Sequence, residues 1–323
     1  MPRKRTLILG VVALGLVAGG GYIAVQKGIG PLPDPNRCLA TVDNYAVGLS
    51  IDQAENASII AAVAARRELP ARAISIAIAT AFQESKLENV GGGDRDSLGL
   101  FQQRPSQGWG TEKQIMDPYY ATNAFYDALV KVDGYQDMEI TKAAQQVQRS
   151  AFPDAYADHE KDGRTIASAM SGYSQAAFTC TTDAADLGAE KATKSGLTPR
   201  AEAVRNDIAS AFGELSLGGF EPGGVKSGHI KGSAHYEGRA IDIFFRPVTD
   251  ENTRRGWVLA HYLVANAQRL QINHVIFDDQ IWTAGEASKE GWRTYHPPDL
   301  SSSDSAETRA VLEHRDHVHV DVT

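Results

Sequence analysis

The sequence predicts an α+β protein: a mainly helical part over residues 38–180 and a small mixed part over 199–323, joined by a linker over 181–198 and preceded by one apolar segment. Three observations predict this. Thr6–Val25 contains no Asp, Glu, Lys or Arg. The region after Cys38 is rich in alanine and isoleucine at helical spacing, whereas after Thr198 one helix gives way to short alternating stretches with β-type periodicity.

Residues 1–5 form a basic tip, Met-Pro-Arg-Lys-Arg, and 6–25 are long enough to cross about 30 Å of hydrocarbon as a transmembrane helix. Basic residues stay on the cytoplasmic side, so everything after Val25 is expected outside the membrane. Ala18-Gly-Gly20 is a poor cleavage site, which favours a single-pass membrane anchor; cleavage would make the protein secreted. The two cysteines, Cys38 and Cys180, are then expected to pair as a disulfide around the helical part. Closing so long a loop is worth on the order of 4–5 kcal/mol in the chain-entropy model. A net charge of −8 with 22% charged residues and no basic patch gives no reason to expect nucleic acid as a partner.

Within the helical part, Ser50-Ile-Asp-Gln53 reads as a capping box opening a helix to Arg67. Pro70 suits the first turn of a second helix running through Phe82. Glu84 follows Ala77, Thr80 and Ala81 at helical spacing, so it sits on a small-residue face where a cleft could form. In the second part, Thr198-Pro199 starts a helix with Val204, Ile208 and Phe212 as its core stripe. A glycine-rich bend over 217–224 ends it. A strand over 239–245 carries Asp242, a helix spans 253–270, and strands follow at 272–277, 280–283 and 316–322. Trp282, Trp292 and Tyr295 are either core or cleft residues.

His235, Asp242 and the pair His317-Val-His319 supply the residue types of a mononuclear zinc site: imidazole nitrogens and a carboxylate oxygen, three protein ligands with a fourth position open. Alternation along a strand puts His317 and His319 on one face and Val318 and Val320 on the other. This pattern resembles the superfamily of lysostaphin, D-Ala-D-Ala carboxypeptidases and Hedgehog proteins. The resemblance implies a zinc peptidase with His235, Asp242 and His319 as ligands, Asp316 as general base and His317 as an orienting or oxyanion-stabilising group. That branch also places an arginine upstream of the first ligand to hold a substrate carboxylate. Lys226 and Lys231 stand there instead, and a lysine lacks the bidentate fork.

The first part carries a second resemblance. Glu84-Ser85 followed by Gly99-Leu-Phe-Gln102 is similar to motifs of lytic transglycosylases and goose-type lysozymes, over roughly 70–157. It implies Glu84 as the acid that protonates a glycosidic oxygen and Gln102 as a substrate contact. Asp94 or Asp96 is a candidate for positioning water, and the family's Tyr-Asn-Ala-Gly stretch is absent. Together the two resemblances imply a peptidoglycan hydrolase that cuts both glycan and peptide. The rival expectation is a non-catalytic envelope protein that keeps both folds as peptidoglycan-binding modules.

Overall fold

The computed structural model describes residues 37–150, 154–183 and 187–323. The expected membrane segment lies outside these, and among the described residues no helix is long and apolar enough to cross a membrane. The architecture is mixed α+β, with two antiparallel sheets.

The described residues open with strands that helical periodicity did not reveal. A hairpin of β1 (Cys38–Val42) and β2 (Tyr45–Leu49) is joined by β3 (Phe178–Cys180) on the other side of β1. Cys38 and Cys180 face each other in the β1–β3 register and form the expected disulfide, closing a 142-residue separation. These strands are at most five residues long, too short to stand out beside the helices that follow.

Helix α1 (Ile51–Arg66) begins at the Ser50 capping box, in which Ser50 and Gln53 satisfy each other's backbone amides. Every residue from Asn56 to Ala64 is buried, so α1 is a central helix covered on all sides. Helix α2 (Ala71–Ser85) follows Pro70 as expected. Its small-residue face does not open a cleft: Ala77, Thr80 and Ala81 are fully buried. Close helix packing against α5 (Glu160–Met170) uses the opposite face of α2, where a Cβ at Gly163 would lie 2.8 Å from the Ser75 carbonyl and 3.2 Å from Ala79. Between them come α3 (Pro118–Leu129), capped by Asp117, and α4 (Ile140–Gln148).

The second part starts with α6 (Pro199–Phe212), whose Thr198 hydroxyl caps it. A six-stranded antiparallel sheet follows, in the order β4 (Leu217–Gly218), β5 (Ala240–Phe244), β9 (His317–Val322), β6 (Ile272–Phe277), β7 (Gln280–Thr283) and β8 (Arg293–Thr294). Helix α7 (Asp250–Ala265) contacts β6 and β9 on the sheet side and α1 and α5 on the other, so both parts contribute to one continuous apolar core. Polar contacts join the same parts. The hydroxyls of Tyr119 and Tyr262 lie 2.8 Å apart, Tyr262 donates to Asp207 at 2.6 Å, and Asn266 donates to Ser58 at 3.0 Å.

The segment read as a linker is tethered at both ends. Thr182 is buried and its amide donates to Ser288 Oγ, while the Thr198 amide donates to the Gly238 carbonyl. Trp282 and Trp292 serve packing, with their indole N–H groups donating to the carbonyls of Cys180 and Phe178. Tyr295 lies in the cavity described next.

Candidate metal centre

Pairing of β5 with β9 sets Asp242 directly opposite His319. On β9, Val318 and Val320 enter the core, while His317, His319 and Asp321 line a cavity of about 620 Å³ on the other face. Residues 234–237 form a short 3-10 turn that brings His235 over this face. His235 Nε2, Asp242 Oδ1 and His319 Nδ1 then form a nearly equilateral triangle, with separations of 3.1, 3.1 and 3.2 Å. Tetrahedral zinc with bonds of about 2.0–2.1 Å places its ligand atoms about 3.3 Å apart, so the donor set and its spacing fit such an ion.

The remaining nitrogens are engaged in the way that leaves those three atoms inward-facing. His235 Nδ1 donates to the Gly219 carbonyl at 2.7 Å. His319 Nε2 donates to Asp321 Oδ2 at 3.4 Å, and Asp321 is held in turn by His274 Nδ1 at 2.9 Å and Asn273 Nδ2 at 3.1 Å. Outer hydrogen bonds of this kind fix ring orientation and tautomer in metal sites. Gly219 cannot be another residue: its φ is +78°, and a Cβ there would lie 2.3 Å from the His235 ring and 2.9 Å from the Asp242 carboxylate.

His317 is oriented differently. Its Nδ1 donates to Asp316 Oδ1 at 2.7 Å, leaving Nε2 on the cavity side, 3.7 Å from Asp242 Oδ1. The other Asp316 oxygen accepts from Arg246 Nε at 2.6 Å, so this buried carboxylate is occupied on both sides. Lys226 and Lys231 are exposed and neither lines the cavity. Arg246 does, and its two terminal guanidinium nitrogens make no hydrogen bond or ion pair among the described residues. Two further imidazoles flank the triangle. His229 stacks on His235 with ring centroids 3.9 Å apart, and His314 lies 4.6 Å from the His317 ring. His229, His235 and Asp242 each offer a ligand atom within 4.8 Å of the others, a second combination able to hold a metal ion.

Charge within the cluster is strongly organised. Burial alone would raise Asp242, yet its hydrogen bonds to His235 and His319 hold it far below the usual carboxylate range. Burial opposes the charge on His319 too, but Asp242 and Asp321 outweigh it and raise its pKa to about 9. His314 is pushed down to about 3, first by burial and then by His317 and His319, so it is neutral at physiological pH. Burial would raise Asp316, which His317 and Arg246 nonetheless hold below its ordinary value.

Glu84 lies in the helical part, at the end of α2. Its Oε1 accepts a 2.6 Å hydrogen bond from Tyr156, a buried phenol whose pKa is raised by burial and by Glu84 itself. The two expected motifs do meet: Ser85 Oγ donates to the Leu100 carbonyl at 2.7 Å. Gln102, with a left-handed backbone, turns its amide to the Gly99 carbonyl. Asp94 is exposed, whereas Asp96 is tied down by Ser106, through its side chain and amide, and by Arg104, which hold it well below the ordinary carboxylate range.

Sequence reasoning did not single out Gly219, Asp321, Arg246, His229 or His314. Asp321 was within its reach, because His317, His319 and Asp321 continue one two-residue period. The others are brought in by loops and turns that leave no periodic trace.

Residues 193–306 match the family described as VldE, C-terminal domain. This stretch includes Gly219, His235 and Asp242 and stops before β9. No curated protein matches the chain.

Proposed function

We propose that this protein is a peptidoglycan hydrolase acting outside the cytoplasm, with a zinc-dependent peptidase centre at His235, Asp242 and His319. The observation that carries this reading is the triangle of three ligand atoms. With His235 Nδ1 and His319 Nε2 both donating outward, two imidazole nitrogens and a carboxylate oxygen converge at 3.1–3.2 Å, and a cation among them would displace the protons that otherwise bridge them.

A bound zinc would supply Lewis acidity, towards a peptide carbonyl and towards water. The rest falls to the chain's own groups. His317 Nε2 carries the lone pair on the cavity side and is the proton acceptor, while Asp316 holds the His317 ring through its Nδ1–H. This division differs from the role implied for Asp316 by resemblance, because both of its oxygens are already engaged. Arg246, whose guanidinium pairs with Asp316 through Nε and lies over the Phe244 ring, lines the cavity and takes the part first given to Lys226 and Lys231: a planar fork, through its two terminal nitrogens, for a substrate carboxylate. Glu84 is assigned as the acid of a glycan-cleaving centre, supported by the Ser85–Leu100 contact and by the Tyr156 hydrogen bond that fixes its carboxyl group. Anchorage by residues 6–25 completes the proposal.

Mass analysis of fragments released from purified sacculi tests both activities together. The expected products are shortened or released peptides that disappear on chelation, and glycan fragments that do not. Binding to sacculi with neither product would favour the reading as a pair of binding modules.

A further inference from the structure

Pairing of β5 with β9, β9 with β6 and β6 with β7 sets Asp242, His319, Ile276 and Ile281 in a single row across four strands. Residues directly opposite share a face of the sheet, so the two ligands at one end of the row continue into an apolar floor at the other. Both isoleucines line the same cavity as the metal centre, and Tyr295, Pro297, Val311 and Leu312 line it with them. Tyr295 is fixed there: its amide donates to the Asp279 carbonyl at 2.7 Å, and its ring meets His314 edge-on at 5.0 Å. Val311 is left 45% exposed at the cavity. Asp299 lines the cavity too, on a turn in which the Leu300 amide donates to the Pro297 carbonyl. Its carboxylate is exposed and makes no hydrogen bond or ion pair among the described residues. Burial, and then the Asp299 charge, raise the pKa of Tyr295.

Arg246 follows β5 on one side of β9, and the two isoleucines lie on the other. A peptide whose carboxylate is held at Arg246 therefore carries the residue on the amino side of the scissile bond over Ile276 and Ile281. Neighbouring strands are about 4.8 Å apart, so Ile276 lies about 5 Å and Ile281 about 10 Å from the line of His319. Counted from a carbonyl held at the metal, a methyl side chain gets no further than Ile276. An extended chain of four methylenes, at about 1.5 Å per carbon–carbon bond, stretches about 6 Å beyond its Cα and reaches Ile281. We propose that this end of the cavity is a subsite for a long aliphatic side chain ending in an ammonium group, so that the bond cut follows a diamino acid and not an alanine. Ile276 and Ile281 carry the methylenes, and Asp299 takes the ammonium. The proposal rests on the peptidase reading above and names the bond that it cuts. Water gives its oxygen to the carbonyl carbon of that residue as the amide C–N bond breaks. Both of its protons end on the departing nitrogen, so the products are a carboxylate and an ammonium group.

The test uses the full chain loaded with zinc and three N-acetylated dipeptides with a free carboxy terminus: acetyl-Lys-D-Ala, acetyl-norleucyl-D-Ala and acetyl-Ala-D-Ala. Norleucine supplies an uncharged chain of nearly the length of lysine. Its kcat/KM should exceed that of the alanine substrate by about tenfold or more, the usual effect of even one methylene in an apolar pocket. Lysine should exceed norleucine by up to about fivefold, the range of an exposed ion pair. Ile281→Thr, which makes the floor polar, and Ile281→Phe, which fills it, should each shrink the norleucine-over-alanine ratio by about fourfold or more, the effect of one buried methylene. Both should retain one zinc per chain. Asp299→Asn should abolish the lysine-over-norleucine preference alone. Alanine cleaved as well as norleucine by wild type would overturn the subsite. So would Ile281 variants that slow all three substrates equally, or a lysine preference that survives Asp299→Asn. Cleavage of none of the three by zinc-loaded wild type would instead overturn the peptidase reading with Arg246 at the carboxylate.

Discussion

The two candidate centres are built to different standards. Around His235, Asp242 and His319, each imidazole has its outward nitrogen bound to a partner, and the three inward atoms converge to 3.1–3.2 Å. At Glu84 the one fixing contact among the described residues comes from Tyr156, while Gln102 and Asp96 spend their polar groups on the local loop. A metal centre must be held by several elements at once, and β4, β5, β9 and the 234–237 turn all converge on it. A single acid needs only a helix end and one neighbour. The difference teaches that the peptidase reading rests on mutual geometry, and the glycan-cleaving reading on position.

The largest expected effect probes the weaker side. General acid catalysis contributes about 10²–10⁴-fold, so Glu84→Gln should lower glycan-fragment release by that range and leave peptide release as it was. Equal loss of both products, or of neither, would merge the two centres or remove this one.

The next effect sharpens the stronger side. Gly219→Val forces a side chain into the His235 ring and places a β-branched residue at a φ of +78°. Disturbing an outer-sphere partner typically costs 10–100-fold in metal affinity, and zinc competition with a chelator should show at least that loss. Affinity within twofold of wild type would mean that the Gly219 carbonyl does not orient His235.

A further effect, on stability, concerns what joins the two regions. His261 on α7 is fully buried, donates from Nδ1 to the Ala169 carbonyl at 2.9 Å, and has no partner at Nε2 among the described residues. Burial depresses its pKa from 6.5 to about 4, only partly offset by the Ala169 carbonyl. A depressed histidine contributes stability that is complete above its unfolded pKa and is lost as pH falls towards the folded one. Between pH 6.5 and 4 the loss reaches about 3 kcal/mol at 1.36 kcal/mol per pKa unit. Thermal unfolding of wild type should therefore decline more steeply over that window than His261→Gln, which keeps a donor for Ala169; parallel curves would contradict it.

Much of this was legible in the chain. The Ser50 capping box, the Thr198 cap and the Asp242 and His317–Val322 strands followed from local chemistry, because caps and two-residue alternation are local signals. The disulfide followed from counting. What stayed hidden depends on contacts distant in sequence. The strands β1–β3 are too short to show a period, and the small-residue face of α2 reads alike whether it borders a cleft or is fully buried. Arg246 reaches Asp316 only because β5 and β9 are paired. Asp316 is thereby engaged at both oxygens, by Arg246 and by His317.

The most direct test of the central claim is zinc stoichiometry measured on purified wild type and His319→Ala by elemental analysis, with folding of both checked by circular dichroism. The account predicts one zinc per wild-type chain and none retained by the folded variant after dialysis. A folded wild type without zinc under zinc-replete conditions, or a variant as fully loaded as wild type, would contradict it.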